Sequence, residues 1–203
     1  MTPQSRAIPV LLTRPQAQSD RFAAALVARF GASVATTTSP LIAPQFLIPP
    51  IPQRPYSALI LTSETGALSA ARPETLPTRA YCVGDRTAAA ARSLGLTAVS
   101  AQGDAGSLIA LILAASETGP LLHLRGQDAR GDIAATLTAA GVPTYDAITY
   151  DQRPCDLTPE ARAAMLAQGA DPDPGPPERY GKLMRDELVR WTTVVKDTKV
   201  QVK

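Results

Sequence analysis

The sequence predicts an α/β fold in two lobes, with parallel sheets flanked by helices, and three observations lead there. Residues 10–31, VLLTRPQAQSDRFAAALVARFG, and residues 121–141, LLHLRGQDARGDIAATLTAAG, repeat one strand, turn, helix and closing glycine. Arg14 aligns with Arg125, Gln16 with Gln127, Phe22 with Ile133, Ala24 with Ala135 and Leu26 with Leu137, while Gly31 falls one residue out of step with Gly141. A repeat this widely spaced is too long for a solenoid and suits two related halves facing a cleft. Between the copies, short apolar runs alternate with helical patterns, as in a parallel sheet covered on both faces. Finally, two proline-bearing stretches, 40–55 and 151–160, divide the chain where one lobe passes to the other.

Each element follows from its own residues. An apolar run predicts strand Ile8–Thr13, and a helix from Gln16 to Phe30 stops at Gly31, with Phe22, Leu26 and Phe30 on one face. Strand Ala32–Thr37 completes the first unit. PLIAPQFLIPPIPQRP carries too many prolines for a helix or a central strand and reads as an extended crossover. From Tyr56 the pattern resumes: strand Ala58–Thr62, helix Glu64–Ala71, strand Ala80–Val83, helix Asp85–Leu94 closed by Gly95, and strand Ala98–Ser100. Asp104 caps a helix through Ala115; strand Pro120–Leu124 opens the second copy, which ends in strand Pro143–Thr149. These divisions give 1–42 as the first part of lobe one, 43–152 as lobe two, and 153–203 as a return linker with a divergent C-terminal segment. In that last part Thr158–Gln168 reads as a short helix, GADPDPGPPE as a break, and the stretch from Glu178 as an amphipathic helix. Its stripe of Tyr180, Leu183, Leu188, Trp191 and Val195 needs something to bury it.

Composition narrows the function. With 203 residues, 45% of them hydrophobic, the chain can bury one large or two small cores. A net charge of +2 is too slight for a nucleic-acid footprint, so a polyanionic ligand would be held by local donors. Ile8 to Leu12 leads into a turn with no cleavage-like motif, and Leu108 to Ala115 is too short to span a bilayer, so a soluble chain without a membrane partner is expected. Cys82 reads as a core residue and Cys155 as a linker thiol, in keeping with a reduced, cytoplasmic setting. A lone histidine, His123, and no CxxC pair leave no first shell for a metal, and neither GxGxxG nor a P-loop is present.

The candidate site lies in the turns that follow the strands. Thr13-Arg14, Thr62-Ser63, Gly84 with Thr87, and Arg125-Gly126 each stand between a strand and a helix, where carboxyl ends of strands share a crevice and helix N–H groups meet anions. Ordinary helix capping accounts for any one of them; the case for a ligand with several carboxylates rests on their sharing a rim. His123 sits inside a strand, and a structural role fits it better than acid–base work. Tyr150 ends the last strand before the return linker, where a phenol can hang over the crevice and donate a proton, or plug the lobe by packing.

In order, the segments VLLTRP, ALILTSETGA, AYCVGDRTAAAARSLG, GDAGSLIALI, LLHLRGQ and the strand ending ITY resemble uroporphyrinogen-III synthases over residues 8–168. The resemblance implies two α/β lobes joined by two linkers, with lobe one begun and finished around lobe two. It implies a lyase that needs no cofactor or metal; the chain itself is expected to be a monomer, with self-association through the incomplete lobe as the alternative. Its substrate would be hydroxymethylbilane, a linear tetrapyrrole cyclised with loss of water and inversion of ring D for haem and other tetrapyrrole biosynthesis. By position Tyr150 would assist the leaving hydroxyl, and Thr13, Arg14, Thr62, Ser63, Gly84, Thr87, Arg125 and Gly126 would bind substrate carboxylates. The chain departs from the family after Tyr150, where no second TS-type or VG-type turn follows, so lobe one is expected to be incomplete and activity impaired. The stretch from about Glu178 resembles instead the C-terminus of tripartite-tricarboxylate substrate receptors, as a fused or shifted reading frame would leave it. A non-catalytic two-lobed binder of a polycarboxylate is the alternative function.

Overall fold

The computed structural model describes residues 7–71, 76–129, 131–172 and 175–198. Arg130 of the second copy, residues 173–174 of the predicted break and Lys199 lie outside the described residues. Among the described residues eight strands form two separate sheets. Strands β1 (Ile8–Leu12) and β2 (Val34–Thr38) pair in parallel around helix α1 (Gln16–Phe30) and a short 3-10 turn. Pro15 presets the turn into α1, and Gly31, at φ 56°, ends it in the left-handed region that glycine takes without strain.

The second sheet has six strands in the order β3-β8-β7-β4-β5-β6. These are β3 (Ile42–Phe46), β4 (Ala58–Leu61), β5 (Arg79–Cys82), β6 (Thr97–Ser100), β7 (Leu121–Gly126) and β8 (Thr144–Pro154). All neighbours are parallel except β3, which runs antiparallel to the second half of β8. Helices α2 (Glu64–Ser69), α3 (Asp85–Ser93), α4 (Ala105–Ala114) and α5 (Ile133–Ala139) cover it. Alternation sorts the core by face: Leu59, Leu61, Leu122 and Leu124 pack with Ala67 and Ala88, while Ile60, Tyr81 and Leu121 pack with Leu108, Ile112 and Leu137. The caps follow side-chain chemistry: Ser63, Asp104, Asp132 and Thr158 each accept a backbone N–H at the start of α2, α4, α5 and α6 (Pro159–Leu166).

Four expectations need correction. Residues 42–46 were expected to be an extended crossover; they form a strand, though an edge one and not a central one, which Pro44 tolerates because an edge leaves one side of the backbone free of partners. Strand β8 runs on to Pro154, so the two linkers pair with each other, Ile42 opposite Pro154 and Phe46 opposite Tyr150. The second copy is not a faithful repeat: α5 begins at Ile133, six residues after the position matching the start of α1. Where Pro15 launches α1, the matching residue is Gly126, still in strand, and Asp132 caps the later helix through Ala135 N–H at 2.8 Å.

Finally, the apolar stripe of α7 (Pro177–Thr198) is not buried: Leu188 is 70% and Trp191 56% exposed, and no residue of that helix is buried. The first unit is similarly thin, since Phe22 and Phe30 remain about half exposed and Ser19 is the one buried residue of α1. No helix among the described residues is long and apolar enough to cross a membrane.

Candidate active site

Strands β4 and β7 end alongside the middle of β8, and three of the predicted residues, Ser63, Gly126 and Tyr150, meet there. Ser63 follows β4 and caps α2, its Oγ accepting Gly66 N–H at 2.9 Å. The same oxygen lies 2.9 Å from the Tyr150 hydroxyl, although the two residues are far apart in sequence. Gly66 lets α2 lie directly on β7, because a Cβ there would stand 2.9 Å from the Leu124 carbonyl oxygen. Ser69 Oγ then pins the helix to β8, 2.7 Å from Gly66 O and 2.8 Å from Thr149 Oγ1.

Tyr150 lies across Gly126. A Cβ on Gly126 would come within 2.7 Å of the tyrosine ring, so only a residue without a side chain lets the phenol lie flat on the strand. A bulge between Arg125 and Gly126 brings Gly126 opposite Tyr150, and Gln127 N–H donates to the Tyr150 carbonyl at 2.9 Å. The outcome differs from a phenol hanging free over a crevice: Tyr150 is 9% exposed, its ring held by Gly126 and its hydroxyl by Ser63.

The remaining predicted residues are more dispersed. Arg125 is half-buried and already engaged, Nε donating to Asp146 Oδ2 at 2.7 Å and Nη1 to the carbonyls of Gly126 and Gln127 at 2.9 and 3.3 Å. Gly84 caps α3 with its backbone, and Thr87 is 5% exposed, turned into the core. Thr13 and Arg14 belong to the first unit: Thr13 accepts Leu41 N–H and lines a cavity of about 630 Å³ with Leu41, Cys155 and Arg162, and Arg14 is exposed. Among the described residues no hydrogen bond joins Thr13 or Arg14 to the Ser63–Tyr150 group.

The structure adds two residues that sequence reasoning missed, Arg21 and Asp146. Arg21 of α1 reaches Glu64 at the start of α2, 2.9 Å away, and so bridges the two sheets. A cavity of about 390 Å³ opens beside this contact, between α1 on one side and α2 and α3 on the other, with Arg86 on its wall. Asp146 lies beside His123, 3.0 Å from Nδ1, while the other ring nitrogen is 3.3 Å from Thr62 Oγ1. Burial alone would raise the Asp146 pKa, but hydrogen bonds from His123 and Arg125 outweigh it and hold the carboxyl below its ordinary value. No local signal marks Arg21 or Asp146, because their partners come from other elements. Among the described residues no group of His, Cys, Asp and Glu could hold a metal ion.

The chemistry available is a phenol and a serine hydroxyl joined by a hydrogen bond at the start of a helix, a threonine hydroxyl held by His123, and arginines at the cavity. Such a set can donate protons and bind anions; it holds no activated nucleophile. The family model for uroporphyrinogen-III synthase HemD matches residues 20–172. Among solved structures, the synthase of Helicobacter pylori is 20% identical with a TM-score of 0.47, the alignment covering 64% of this chain and 61% of that one. A mutant synthase of Thermus thermophilus is 18% identical with a TM-score of 0.48, over 81% of this chain and 71% of that one. The chain thus spans 61% of the length of the Helicobacter pylori protein. No curated protein matches it. The expected likeness of the final helix to tricarboxylate receptors finds no support; the family match ends at residue 172.

Proposed function

The chain belongs to the uroporphyrinogen-III synthase family, and from that premise we propose that it cyclises hydroxymethylbilane to uroporphyrinogen III. The observation that carries this reading is the family match over residues 20–172, which includes every predicted site residue except Thr13 and Arg14. The Tyr150–Ser63 hydrogen bond supports it, since it joins two hydroxyls that can donate a proton.

In this reading the hydroxymethyl C–O bond breaks as electrons move in from the pyrrole nitrogen, and the oxygen takes a proton from Tyr150 to leave as water. Ser63 orients the phenol for that transfer. The substituted carbon of ring D then attacks the azafulvene, forming a spiro intermediate that fragments and recloses with ring D inverted. Substrate carboxylates are held by the turns at Thr13-Arg14, Thr62-Ser63, Gly84-Thr87 and Arg125-Gly126, chiefly through backbone N–H groups. Because the substrate closes unaided to the type I isomer, holding one conformation matters more than reactive side chains.

We assign residues 1–42 to the start of lobe one, 43–152 to lobe two and 153–203 to the return, in a cytoplasmic monomer that needs no cofactor. Incubation with hydroxymethylbilane, followed by oxidation and separation of isomers, tests the function; type III product is expected. Product of type I alone would favour the second reading, a non-catalytic binder of a polycarboxylate. The two-stranded first sheet and the enclosed phenol are the observations on its side.

A further inference from the structure

The mechanism above leaves the buried imidazole of His123 unused. His123 is 4% exposed, in the middle of β7, and both ring nitrogens have partners: Asp146 Oδ1 at 3.0 Å from Nδ1 and Thr62 Oγ1 at 3.3 Å from Nε2. The three residues come from adjacent strands or their ends, since His123 sits opposite Ile60 of β4 and Asp146 of β8. Resting on the synthase reading, we propose that His123 is a positioning residue: backed by Asp146, it fixes the Thr62 hydroxyl so that its oxygen accepts a pyrrole N–H of the linear tetrapyrrole.

The argument turns on counting protons. An ionised carboxylate only accepts, so the Asp146 contact places the ring proton of the neutral imidazole on Nδ1. Nε2 then offers only a lone pair, and Thr62 must donate its single hydroxyl proton to it. With that proton committed, Thr62 Oγ1 keeps free lone pairs and can no longer serve a carboxylate. Arg125 lies 2.7 Å from the other Asp146 oxygen and holds it from the far side. Substrate carboxylates find donors in the backbone N–H groups of the turns, whereas its pyrrole N–H groups need acceptors. The half-buried Thr62 oxygen, just past the end of β4, is such an acceptor. A wrongly folded tetrapyrrole presents its N–H groups elsewhere, so the contact selects the conformation that leads to type III.

His123 is the only histidine, so the imidazole gives a single spin system in a proton–nitrogen correlation spectrum. The expected pattern is a protonated Nδ1 and a bare Nε2 whose shift moves in Thr62→Val; a proton on Nε2 of the neutral ring overturns the proposal. Turnover supplies the second readout. His123→Asn keeps an amide for Asp146 and drops the atom that faces Thr62, whereas His123→Gln restores a polar atom there. His123→Asn and Thr62→Val should each lower the ratio of type III to type I product by about fivefold. The double variant should lose no more than either single one, and His123→Gln should regain most of the ratio. Equal losses in the Asn and Gln variants, with Thr62→Val adding its own, would show a packing role and overturn the proposal. A parent protein that makes type I alone fails the synthase reading instead, and the ring spectrum still decides the tautomer.

Discussion

Leu26 and Leu137 occupy matching places in two stretches of similar sequence, yet Leu137 is fully buried and Leu26 only half so. The difference lies in the neighbours. Strand β7 has β8 on one side and β4 on the other, with helices on both faces, and the leucine of α5 drops into a core with Ile112 and Tyr81. Strand β1 has β2 as its sole strand partner among the described residues, and α1 covers a two-stranded sheet. Local pattern makes a strand and a helix in both places, but only the six-stranded context turns them into a core. A second contrast follows from one residue pair: Pro15 starts a helix at once, while Gly126 prolongs the strand and makes room for the phenol of Tyr150.

The comparison is open to several tests, and the largest effect belongs to proteolysis. Local opening near the ends should cost little, whereas opening within the six-stranded sheet should cost most of the global stability. Trypsin should therefore cut α7, at exposed Arg185 or Arg190, long before it cuts the helix holding Arg92, leaving a resistant fragment around residues 56–150. Ends as resistant as the middle would contradict the contrast. Next, Leu137→Ala should lower stability by about 2–5 kcal/mol, read from the denaturant midpoint. Leu26→Ala should cost under about 1 kcal/mol, since less burial is lost there. Similar losses at both sites would mean that α1 is packed as tightly as α5.

Gly126→Ala sharpens the second contrast. The new methyl meets the Tyr150 ring, so a loss of about 1–3 kcal/mol is expected, together with a fall in type III product. Pro15→Ala, at the matching place, should leave the isomer ratio within about twofold, as a change away from the reacting groups does. The smallest effect concerns acid. Because Asp146 is held below its ordinary value, its contribution is present above the unfolded carboxylate range, about pH 4, and fades as pH falls through the folded value. The stability gap between the parent and Asp146→Asn should accordingly narrow from pH 7 towards pH 3; a gap that stays constant would mean the carboxylate makes no difference.

Much of the fold was legible where a cap, a stop and a period coincide. Pro15, Gly31 and the spacing of Phe22, Leu26 and Phe30 mark α1 at both ends, and Asp104 marks the start of α4. The pairing of residues 42–46 with 150–154 was not legible, because proline-bearing segments carry no signal for a partner so distant in sequence. The site was half legible. The TS turn, Gly126 and Tyr150 announce themselves by position, and the structure brings Ser63 and Tyr150 within a hydrogen bond. Asp146 and Arg21 have no local mark, since their roles exist only once β8 lies beside β7 and α1 beside α2. The burial of Tyr150 was equally hidden, for it depends on a bulge that sets Gly126 beneath the ring.

The central claim is that a phenol held by Ser63 and Gly126 helps a linear tetrapyrrole lose its hydroxyl while the turns around it set the fold of the chain. The most direct measurement is the rate of type III formation from hydroxymethylbilane by the parent and by Tyr150→Phe, with type I counted in the same runs. The account predicts type III from the parent and a rate lower by about a hundredfold in the variant, with type I taking its place. Equal rates of type III formation in the two proteins would contradict it.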